Sequence, residues 1–345
     1  MKHGDTSMET DAAAPAAEIR DLVLRPYAGE ADLTEIVRLS NADLAHDGVR
    51  EVVTLDDLAA TFRHASDSFD AARDVLMAEA DGRVVGTVRV DWVDGTDGTR
   101  EHRSRGAVDS AYRRRGIGQR LLAAAEELIR VNDSRHEVER PRVIGMFVDE
   151  RQVGRSALAA SEGYKAVRWF FEMERPGIDV DRPDLLSLPE GLEVRPASRD
   201  QARAIWNADH EAFQDHWGGW DMSEASFLRW VESSEYQPDL SVVAWDGPEI
   251  AGAVLNNIFA AENDELGLRR GWLESVFTRR QWRGRGLARA LIGRSVNLLA
   301  ESGMDTAALG VDADNPSGAL GLYESCGFVV TERGSARRKP LEATS

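Results

Sequence analysis

Two short turns in the sequence combine arginine and glycine in a way that suits phosphate binding. Each follows a predicted strand and opens a predicted amphipathic helix, and they read Arg113-Arg114-Arg115-Gly116-Ile117-Gly118 and Arg283-Gly284-Arg285-Gly286-Leu287-Ala288. The first turn of a helix leaves backbone N–H groups unpaired, and the helix dipole adds roughly half a positive charge there. Glycine lets a pyrophosphate approach the backbone closely, and the arginines add charge. The two turns therefore predict a phosphate-bearing ligand.

Three other interpretations of these turns are open at this point. A dinucleotide-binding fingerprint needs Gly-x-Gly-x-x-Gly early in a βαβ unit, whereas here the turn comes late and the pattern is incomplete. A nucleotide P-loop needs Gly-x4-Gly-Lys-Ser/Thr, which the sequence lacks. The third is a solvated arginine-rich turn that binds nothing. In a chain with a formal net charge of −18, two arginine clusters at two helix openings favour phosphate binding.

The elements that must position these turns recur along the chain. The pair Arg25-Pro26 returns as Arg195-Pro196, 170 residues later, and the second turn follows the first by the same interval. The Asp-Gly hairpin turn at 81–82 and the segment Glu162-Gly163-Tyr164 also have counterparts in the second half, in the same order. Four landmarks in one order predict two copies of a single domain.

Each copy has the pattern of an α+β unit. A strand, helical segments and a β-hairpin lead to the strand before the turn, and the amphipathic helix and two further strands follow it. Prolines at 176, 183 and 189 interrupt both helix and strand and so predict a linker. The predicted organisation is a disordered tail at 1–18, a first domain at 19–175, a linker at 176–189, a second domain at 190–335 and a tail at 336–345. Each domain is predicted to be a mixed, mostly antiparallel sheet flanked by helices.

The amino-acid composition limits where the protein is expected to be located and which partners it is expected to bind. No apolar run reaches the ~18 residues of a membrane span, and the N-terminus has no apolar stretch typical of a signal peptide. The single cysteine, Cys326, fits a reducing cytosol. The 60 acidic and 42 basic residues give a surface that repels nucleic acid and anionic membranes. We expect a cytoplasmic protein without nucleic-acid, membrane or metal partners, and the sequence leaves the oligomeric state open.

With these features the sequence resembles the GNAT superfamily of acyl-CoA-dependent N-acyltransferases, as a tandem pair over nearly the whole chain. Besides the second turn, the resemblance rests on the closing segment Asn315-Pro316-Ser317-Gly318-Ala319-Leu320-Gly321-Leu322-Tyr323-Glu324-Ser325-Cys326-Gly327-Phe328. It implies acetyl-CoA as the co-substrate, with the pyrophosphate on the second turn. It also implies that the pantetheine arm lies along the backbone of Val276, Phe277 and Thr278, with a further bond from Asn315. The two-copy layout is similar to that of mycothiol synthases.

The resemblance also implies direct acetyl transfer to a primary amine in a ternary complex. An amine with a pKa of ~10.4 must first lose a proton, and the departing thiolate benefits from a proton donor. The family often places a tyrosine beside the sulfur of CoA, so Tyr323 is the predicted acid, and Glu274 is the predicted base. The alternative for Tyr323 is a side chain packed on the sheet with its hydroxyl bonded elsewhere.

The role of Glu274 depends on the geometry of its strand. In a regular strand Trp272, Glu274, Val276 and Thr278 share one face. The family's usual position for the catalytic glutamate is that of Trp272, so Glu274 lies one pleat closer to Thr278. The alternative is an exposed glutamate, or one that pairs with an arginine at 269–270.

The first copy lacks both catalytic candidates. The position of Tyr323 maps to Ala159 and that of Glu274 to Ser104. We predict a catalytically degenerate domain, which either binds a second CoA or only completes the fold. A second CoA site would use Val108, Arg113, Arg114, Arg115, Gly116, Ile117 and Gly118.

Aromatic residues suggest where the acceptor binds. Seven of the nine tryptophans lie in the second copy, and the segment 211–221 is the densest in aromatic residues. His216, Trp217, Trp220 and Trp272 would line a pocket for a ring-bearing or sugar-like amine. The alternative is packing between helices or domains, and His216 has no visible partner for a metal site.

The sequence therefore predicts an acetyl-CoA-dependent N-acetyltransferase that acts on the primary amine of a small molecule. Three other functions stay open: acetylation of a cysteinyl amine, as in mycothiol synthases; a non-catalytic acyl-CoA-binding regulatory module; and acetylation of protein lysines.

Overall fold

The computed structural model describes residues 21–136, 138–315 and 318–342, so the tail predicted at 1–18 lies outside the described residues. The strands are β1 (Val23–Pro26), β2 (Val75–Ala80), β3 (Arg83–Asp94), β4 (Arg100–Val108), β5 (Arg142–Asp149), β6 (Lys165–Pro176), β7 (Leu192–Pro196), β8 (Val242–Asp246), β9 (Glu249–Asn257), β10 (Arg270–Thr278), β11 (Thr306–Asp312) and β12 (Val329–Pro340). The helices are α1 (Glu30–Asp47), α2 (Leu55–Arg63), α3 (Ala71–Asp74), α4 (Ile117–Arg135), α5 (Val153–Ser161), α6 (Ala202–Phe213), α7 (Glu224–Glu232), α8 (Ala260–Leu266), α9 (Leu287–Glu301) and α10 (Ala319–Ser325).

All twelve strands belong to one sheet, in the order β1-β2-β3-β4-β5-β12-β6-β11-β10-β9-β8-β7. Neighbouring strands are antiparallel except for β4 beside β5 and β10 beside β11, which are parallel. This arrangement confirms the predicted mixed, mostly antiparallel sheet flanked by helices. The elements β1–β6 and α1–α5 form the N-terminal half of the chain, and β7–β12 and α6–α10 form the C-terminal half.

The two halves exchange their last strands. Strand β6 of the N-terminal half pairs with β11, and β12 of the C-terminal half pairs with β5. The two exchanged strands also pair with each other and so join the halves into one sheet. The prediction of a C-terminal tail from residue 336 is therefore wrong for residues 336–340, because they form the end of β12. The loop between β6 and β7 contains no helix or strand and lies where the linker was predicted.

Helices cover both faces of the sheet in each half. Helix α9 packs Leu287, Leu291 and Leu299 against the C-terminal half of the sheet, and α6 packs against the opposite face. Helix α4 and the pair α1–α2 occupy the corresponding places in the N-terminal half. Each fully buried leucine contributes ~1.5–3 kcal/mol through removal of apolar surface from water. The apolar residues at helical spacing thus hold α4 and α9 against the sheet, and this packing positions the arginine-glycine turn that precedes each helix.

Candidate active site

A cleft of about 2150 Å³ is lined by residues of both halves. It opens where two parallel strands diverge: β10 pairs with β11 only through Arg270–Trp272, opposite Thr306–Ala308. Strand β10 continues along β9 as far as Thr278, so its other edge faces the cleft. Val276, Phe277 and Thr278 all line the cleft, as expected for a strand that could pair with an extended ligand.

The second arginine-glycine turn stands at one end of this cleft. Gly284 and Gly286 have φ angles of 72° and 81°, which side-chain-bearing residues adopt only at a cost. Gly286 is the N-cap of α9, so the unpaired N–H groups of the first helical turn begin at Leu287. The cleft is lined here by Arg283, Gly284, Gly286, Leu287, Ala288 and Arg289, and Arg285 is not among the lining residues.

Hydrogen bonds and an ion pair hold Arg283 of this turn in place. Arg283 donates to the carbonyl oxygens of Thr278 (3.0 Å) and Ala212 (2.8 Å) and pairs with Asp215 at 3.1 Å. Arg280 also pairs with Asp215. Arg283 therefore braces the turn against the end of β10 and has little freedom to follow a ligand. The anion-binding capacity of the turn rests mainly on its backbone N–H groups.

Glu274 lies at a β-bulge in the middle of β10. Leu273 pairs with Asn256 and Ser275 with Leu255, so Glu274 is an extra residue without a partner on β9. The prediction of a regular strand is therefore wrong, because the bulge reverses the faces on either side of it. Trp272 now shares its face with Ser275 and not with Thr278.

The environment of Glu274 suits a general base. Its side chain is accessible to water inside the cleft, but the surrounding protein removes it from bulk solvent. This desolvation, together with the nearby carboxylates of Glu235, Glu262 and Asp209, raises the pKa of Glu274 to about 7. The alternative pairing with an arginine is not seen, since Arg270 pairs with Glu172, Glu174 and Glu262, and Arg269 pairs with Asp179 and Asp305.

Tyr323 lines the same cleft from α10. Its side chain is buried and packs edge-to-face on Phe328, and its hydroxyl makes no hydrogen bond with another described residue. Burial raises the pKa of Tyr323 to about 12, so the hydroxyl keeps its proton at any physiological pH. Asn315 also lines the cleft but is not the N-cap of α10, because that helix begins at Ala319 after Gly318.

Several charged residues around Glu274 carry no recognisable sequence motif. Asp209 on α6 accepts a hydrogen bond from the hydroxyl of Ser275, and burial raises its pKa to about 6. Glu262 on α8 accepts bonds from Arg270 and from the indole N–H of Trp272. No pattern in the sequence indicates either residue, since both lie on helices that only the folded sheet brings to β10.

The aromatic segment between α6 and α7 reaches the N-terminal half. The backbone N–H of Thr96 donates to the carbonyl of Gly218 (2.7 Å), and its hydroxyl donates to that of His216 (2.5 Å). Trp217 lies beside the guanidinium of Arg338, 4.3 Å from its ring centroid. His216, Trp217 and Trp220 of this segment and Trp272 of β10 all line the cleft, so the segment both packs across the halves and faces the cleft.

The corresponding region of the N-terminal half is built differently. Its turn repeats the geometry, with Gly116 at φ 81° before α4 and Arg114 in the left-handed region at φ 62°. Strand β4 pairs with β3 without a bulge, and Ser104 lies opposite Val90 on the face covered by α4. No residue of β4 therefore takes the place of Glu274. Ala159 is fully buried at the position that corresponds to Tyr323.

Arginines also fill the region beside β4. Arg155 of α5 donates to the carbonyl of Gly106 (2.6 Å) and pairs with Asp43 (3.1 Å). Arg113 of the turn pairs with Asp43 and Asp47 of α1. The turn residues Arg113, Arg114, Arg115, Gly116, Ile117 and Gly118, with Val108, are absent from the lining of the central cleft.

Comparison with known proteins agrees with this geometry. The sequence profile of the acetyltransferase (GNAT) family matches residues 202–328, and an acetyltransferase (GNAT) domain profile matches residues 71–166. A mycothiol acetyltransferase of Geodermatophilus obscurus is 30% identical over 320 residues, which are 92% of this chain and 95% of the relative. The chain belongs to the GNAT acetyltransferase family. It is an acyltransferase with two GNAT domains in tandem, and a non-catalytic module is set aside.

Further relatives support the tandem GNAT architecture. A mycothiol acetyltransferase of Corynebacterium efficiens is 28% identical over 73% of this chain and 76% of its own length. A GCN5-related N-acetyltransferase from Sphaerobacter thermophilus superposes with a TM-score of 0.67 at 24% identity, over 95% of this chain and 98% of its own. A tandem GNAT protein from the clavulanic acid biosynthesis pathway gives 0.67 at 18% identity, over 94% of this chain and all of its own. These structures show the shared fold.

GNAT acetyltransferases use acetyl-CoA as co-substrate. Separately, none of the described helices is long and apolar enough to cross a bilayer.

Proposed function

We propose that this GNAT enzyme transfers the acetyl group of acetyl-CoA directly to the primary amine of a small molecule, within a ternary complex in the central cleft. The observation that carries the proposal is that one cleft is lined by Glu274, Tyr323 and the turn at Arg283–Ala288. Acetyl-CoA would place its pyrophosphate on the backbone N–H groups of that turn and its pantetheine arm along Val276, Phe277 and Thr278. Asn315 would contact the same arm.

The protonation states of Glu274 and Tyr323 match the proton transfers that this reaction requires. An acceptor amine arrives as an ammonium, with a pKa of ~10.4. Glu274, with a pKa of about 7, is largely ionised slightly above neutral pH and accepts the proton from nitrogen. The nitrogen then forms a bond to the acetyl carbon, the bond from carbon to sulfur breaks, and the second surplus proton of the nitrogen passes to water, from which Tyr323 is reprotonated after turnover. Tyr323, with a pKa of about 12, is protonated and donates to the departing thiolate.

The carboxylates that surround Glu274 favour an acceptor with a positive charge. Glu235, Glu262 and Asp209 all lie within electrostatic range of Glu274, which is why each raises its pKa. Their negative potential attracts an ammonium group into this part of the cleft. His216, Trp217, Trp220 and Trp272 would supply the apolar wall against which the acceptor packs.

A narrower candidate is acetylation of a cysteinyl amine. It is favoured by the names of the relatives, several of which are mycothiol acetyltransferases with similarity over most of this chain. A cytoplasmic location and the absence of nucleic-acid and membrane partners stay predictions, and the oligomeric state stays open.

The test is release of CoA from acetyl-CoA in the presence of amino-sugars, aminocyclitols, amino acids, cysteinyl amines and lysine peptides. Glu274→Gln and Tyr323→Phe are each expected to lower kcat by about 10²–10⁴-fold, the usual contribution of a positioned acid or base. Glu265→Gln and Tyr112→Phe are matched controls outside the cleft and should retain wild-type turnover. Full turnover in Glu274→Gln would remove Glu274 as the base.

A further inference from the structure

Four charged residues form a block on the cleft-facing side of the N-terminal half. Arg89 and Asp91 lie on β3, Arg103 and Arg105 lie on β4, and they are directly opposed as the cross-strand pairs Arg89–Arg105 and Asp91–Arg103. Because residues two apart and residues paired across strands share one face of a sheet, all four point to the same side. The three arginines line the cleft.

Positive charge exceeds negative charge in this block. Asp91 is shared between Arg103 at 2.6 Å and Arg105 at 2.5 Å. Arg89 makes no hydrogen bond or ion pair with another residue in the described part of the chain. Its directly opposite neighbour is Arg105, and like charges in such a pair are destabilising. Burial in the cleft, together with the charge of Arg105, lowers the pKa of Arg89 to about 10.

Glu51 is a further carboxylate near this block, and it makes no direct contact with the arginines. It lines the cleft within electrostatic range of Arg89, Arg105 and Arg155, but forms no ion pair with any described arginine. Burial and the neighbouring charge of Glu262 raise the pKa of Glu51 and so favour its uncharged form. Arg89 therefore has no ion-pair partner among the described residues, and it lines the cleft.

The block occupies the face of β4 that corresponds to the acceptor-facing side of β10. Arg105 lies next to Arg89 on the side of the sheet that α1 and α2 cover in the N-terminal half. The corresponding side in the C-terminal half is covered by α6, and Ser275 of β10 lies on that side. The two regions meet in one cleft, where the carboxylates around Glu274 form an acidic part and the three arginines a basic part. Such a cleft is complementary to a molecule that carries both charges.

We propose that the amine acceptor also carries an oxyanion group, a carboxylate or a phosphate monoester, which Arg89, Arg103 and Arg105 bind at the N-terminal side of the cleft. The assignment rests on the proposed N-acetyltransferase function and specifies its substrate class. A guanidinium presents paired N–H donors that match two oxygens of either group. The C-terminal half would then supply the acetyl-transfer chemistry and the N-terminal half the recognition of the acceptor's anion.

The experiment compares matched acceptors that differ only in the anionic group. Glucosamine 6-phosphate is assayed against glucosamine, and cysteine against its carboxamide, so that the phosphate and carboxylate arms are separate. For the preferred anionic acceptor, Arg89→Gln is expected to raise KM by about tenfold to a hundredfold, the usual worth of a hydrogen bond to a charged group, with kcat unchanged. The KM for its neutral partner should not move.

Arg73→Gln is the matched control, because it removes the same charge from an exposed ion pair with Asp70 on α3, away from the cleft. It should leave both KM values unchanged. Equal kcat/KM for the anionic and neutral members of both pairs, with no effect of Arg89→Gln, would overturn the assignment while leaving the acetyltransferase proposal intact. Preference for a cysteine carboxamide over cysteine would also overturn it.

Binding separates failure of the inference from failure of the proposed function. The CoA-saturated protein is titrated calorimetrically with the same four acceptors, which requires no turnover. If no amine is acetylated but an anionic acceptor binds more tightly than its neutral partner, and Arg89→Gln abolishes that difference, the anion site stands and the proposed reaction fails. If neither anionic acceptor binds more tightly than its partner, the anion site fails.

Discussion

Arg155 donates a hydrogen bond of 2.6 Å to the backbone carbonyl of Gly106, on the strand edge of the N-terminal half that corresponds to Val276 of β10. In the C-terminal half this edge faces an open cleft, and the family resemblance assigns it to the pantetheine arm. In the N-terminal half a guanidinium already occupies the edge, and Asp43 holds it there at 3.1 Å. The N-terminal half thus keeps the phosphate-type turn but fills the adjoining slot with its own side chains.

The first prediction is that each chain binds one acetyl-CoA. Calorimetric titration should give a stoichiometry of one, and Gly286→Val should weaken binding by about tenfold or more, because valine disfavours the φ of 81° at Gly286 and would displace the backbone N–H groups on which we propose that the pyrophosphate binds. Gly116→Val makes the same change at the same φ of 81° in the N-terminal turn and should leave affinity and stoichiometry unchanged. A stoichiometry of two, or a loss of binding in Gly116→Val, would show a second site.

The second prediction concerns the pH dependence of turnover. Glu274 must be ionised to accept a proton, and its pKa is about 7, so kcat/KM should rise with pH and level off above about 7. Tyr323 keeps its proton throughout this range. The profile is measured with an acceptor whose own amine pKa lies well away from 7. In Glu274→Gln the break near 7 should disappear, whereas persistence of the same break would assign it to another group.

The third prediction is that Glu274 costs stability at the pH where it works. Its pKa is raised from 4.5 to about 7 on folding, so between these values the folded state binds more protons than the unfolded state. The free energy of unfolding therefore falls as pH rises through this window. Glu274→Gln removes the effect and should be more stable than wild type at pH 8, with no such gain at pH 4. Paired denaturation curves at the two pH values test this, and exposed Glu265→Gln should show no pH-dependent difference.

The turns and their helices were predictable because local chemistry determines them. Gly116 and Gly286 adopt positive φ and start α4 and α9 at Ile117 and Leu287, where the sequence placed the first apolar residues of each helix. The strands before the turns end at Val108 and Thr278, so each turn follows a strand as predicted. Each of these features depends on residues within one or two turns of chain.

The features that the sequence did not reveal depend on pairing between distant segments. The bulge at Glu274 exists only relative to the register of β9, and nothing in the alternation of β10 itself shows it. The exchange of β6 and β12 likewise could not be predicted from the sequence. Both copies carry the same strand pattern, so each of these strands could pair within its own half or with the other half. That Arg89 has no ion-pair partner among the described residues likewise appears only when β3 and β4 are set side by side.

A fully buried arginine joins the two halves beneath the cleft. Arg270 of β10 pairs with Glu172 at 2.8 Å and Glu174 at 3.0 Å on β6, and with Glu262 at 2.9 Å. It also donates to the backbone carbonyl of Arg50 in the N-terminal half (2.9 Å). Arg270 thus neutralises acidic groups that come from both halves of the chain.

The last prediction is that this network is essential to stability. Arg270→Met keeps an unbranched, flexible side chain but leaves the buried carboxylates without their shared cation, so we expect a loss of about 3–5 kcal/mol in the free energy of unfolding. Arg269→Met is the adjacent control, because Arg269 is exposed and its pairs with Asp179 and Asp305 lie at the surface, where such pairs contribute about 1 kcal/mol or less. Urea denaturation followed by tryptophan fluorescence measures both. Equal losses in the two variants would contradict this prediction and would mean that the carboxylates around Arg270 are neutralised by protonation. In that case the loss of stability in Arg270→Met should become smaller as the pH is lowered towards about 7, the raised pKa of Glu172.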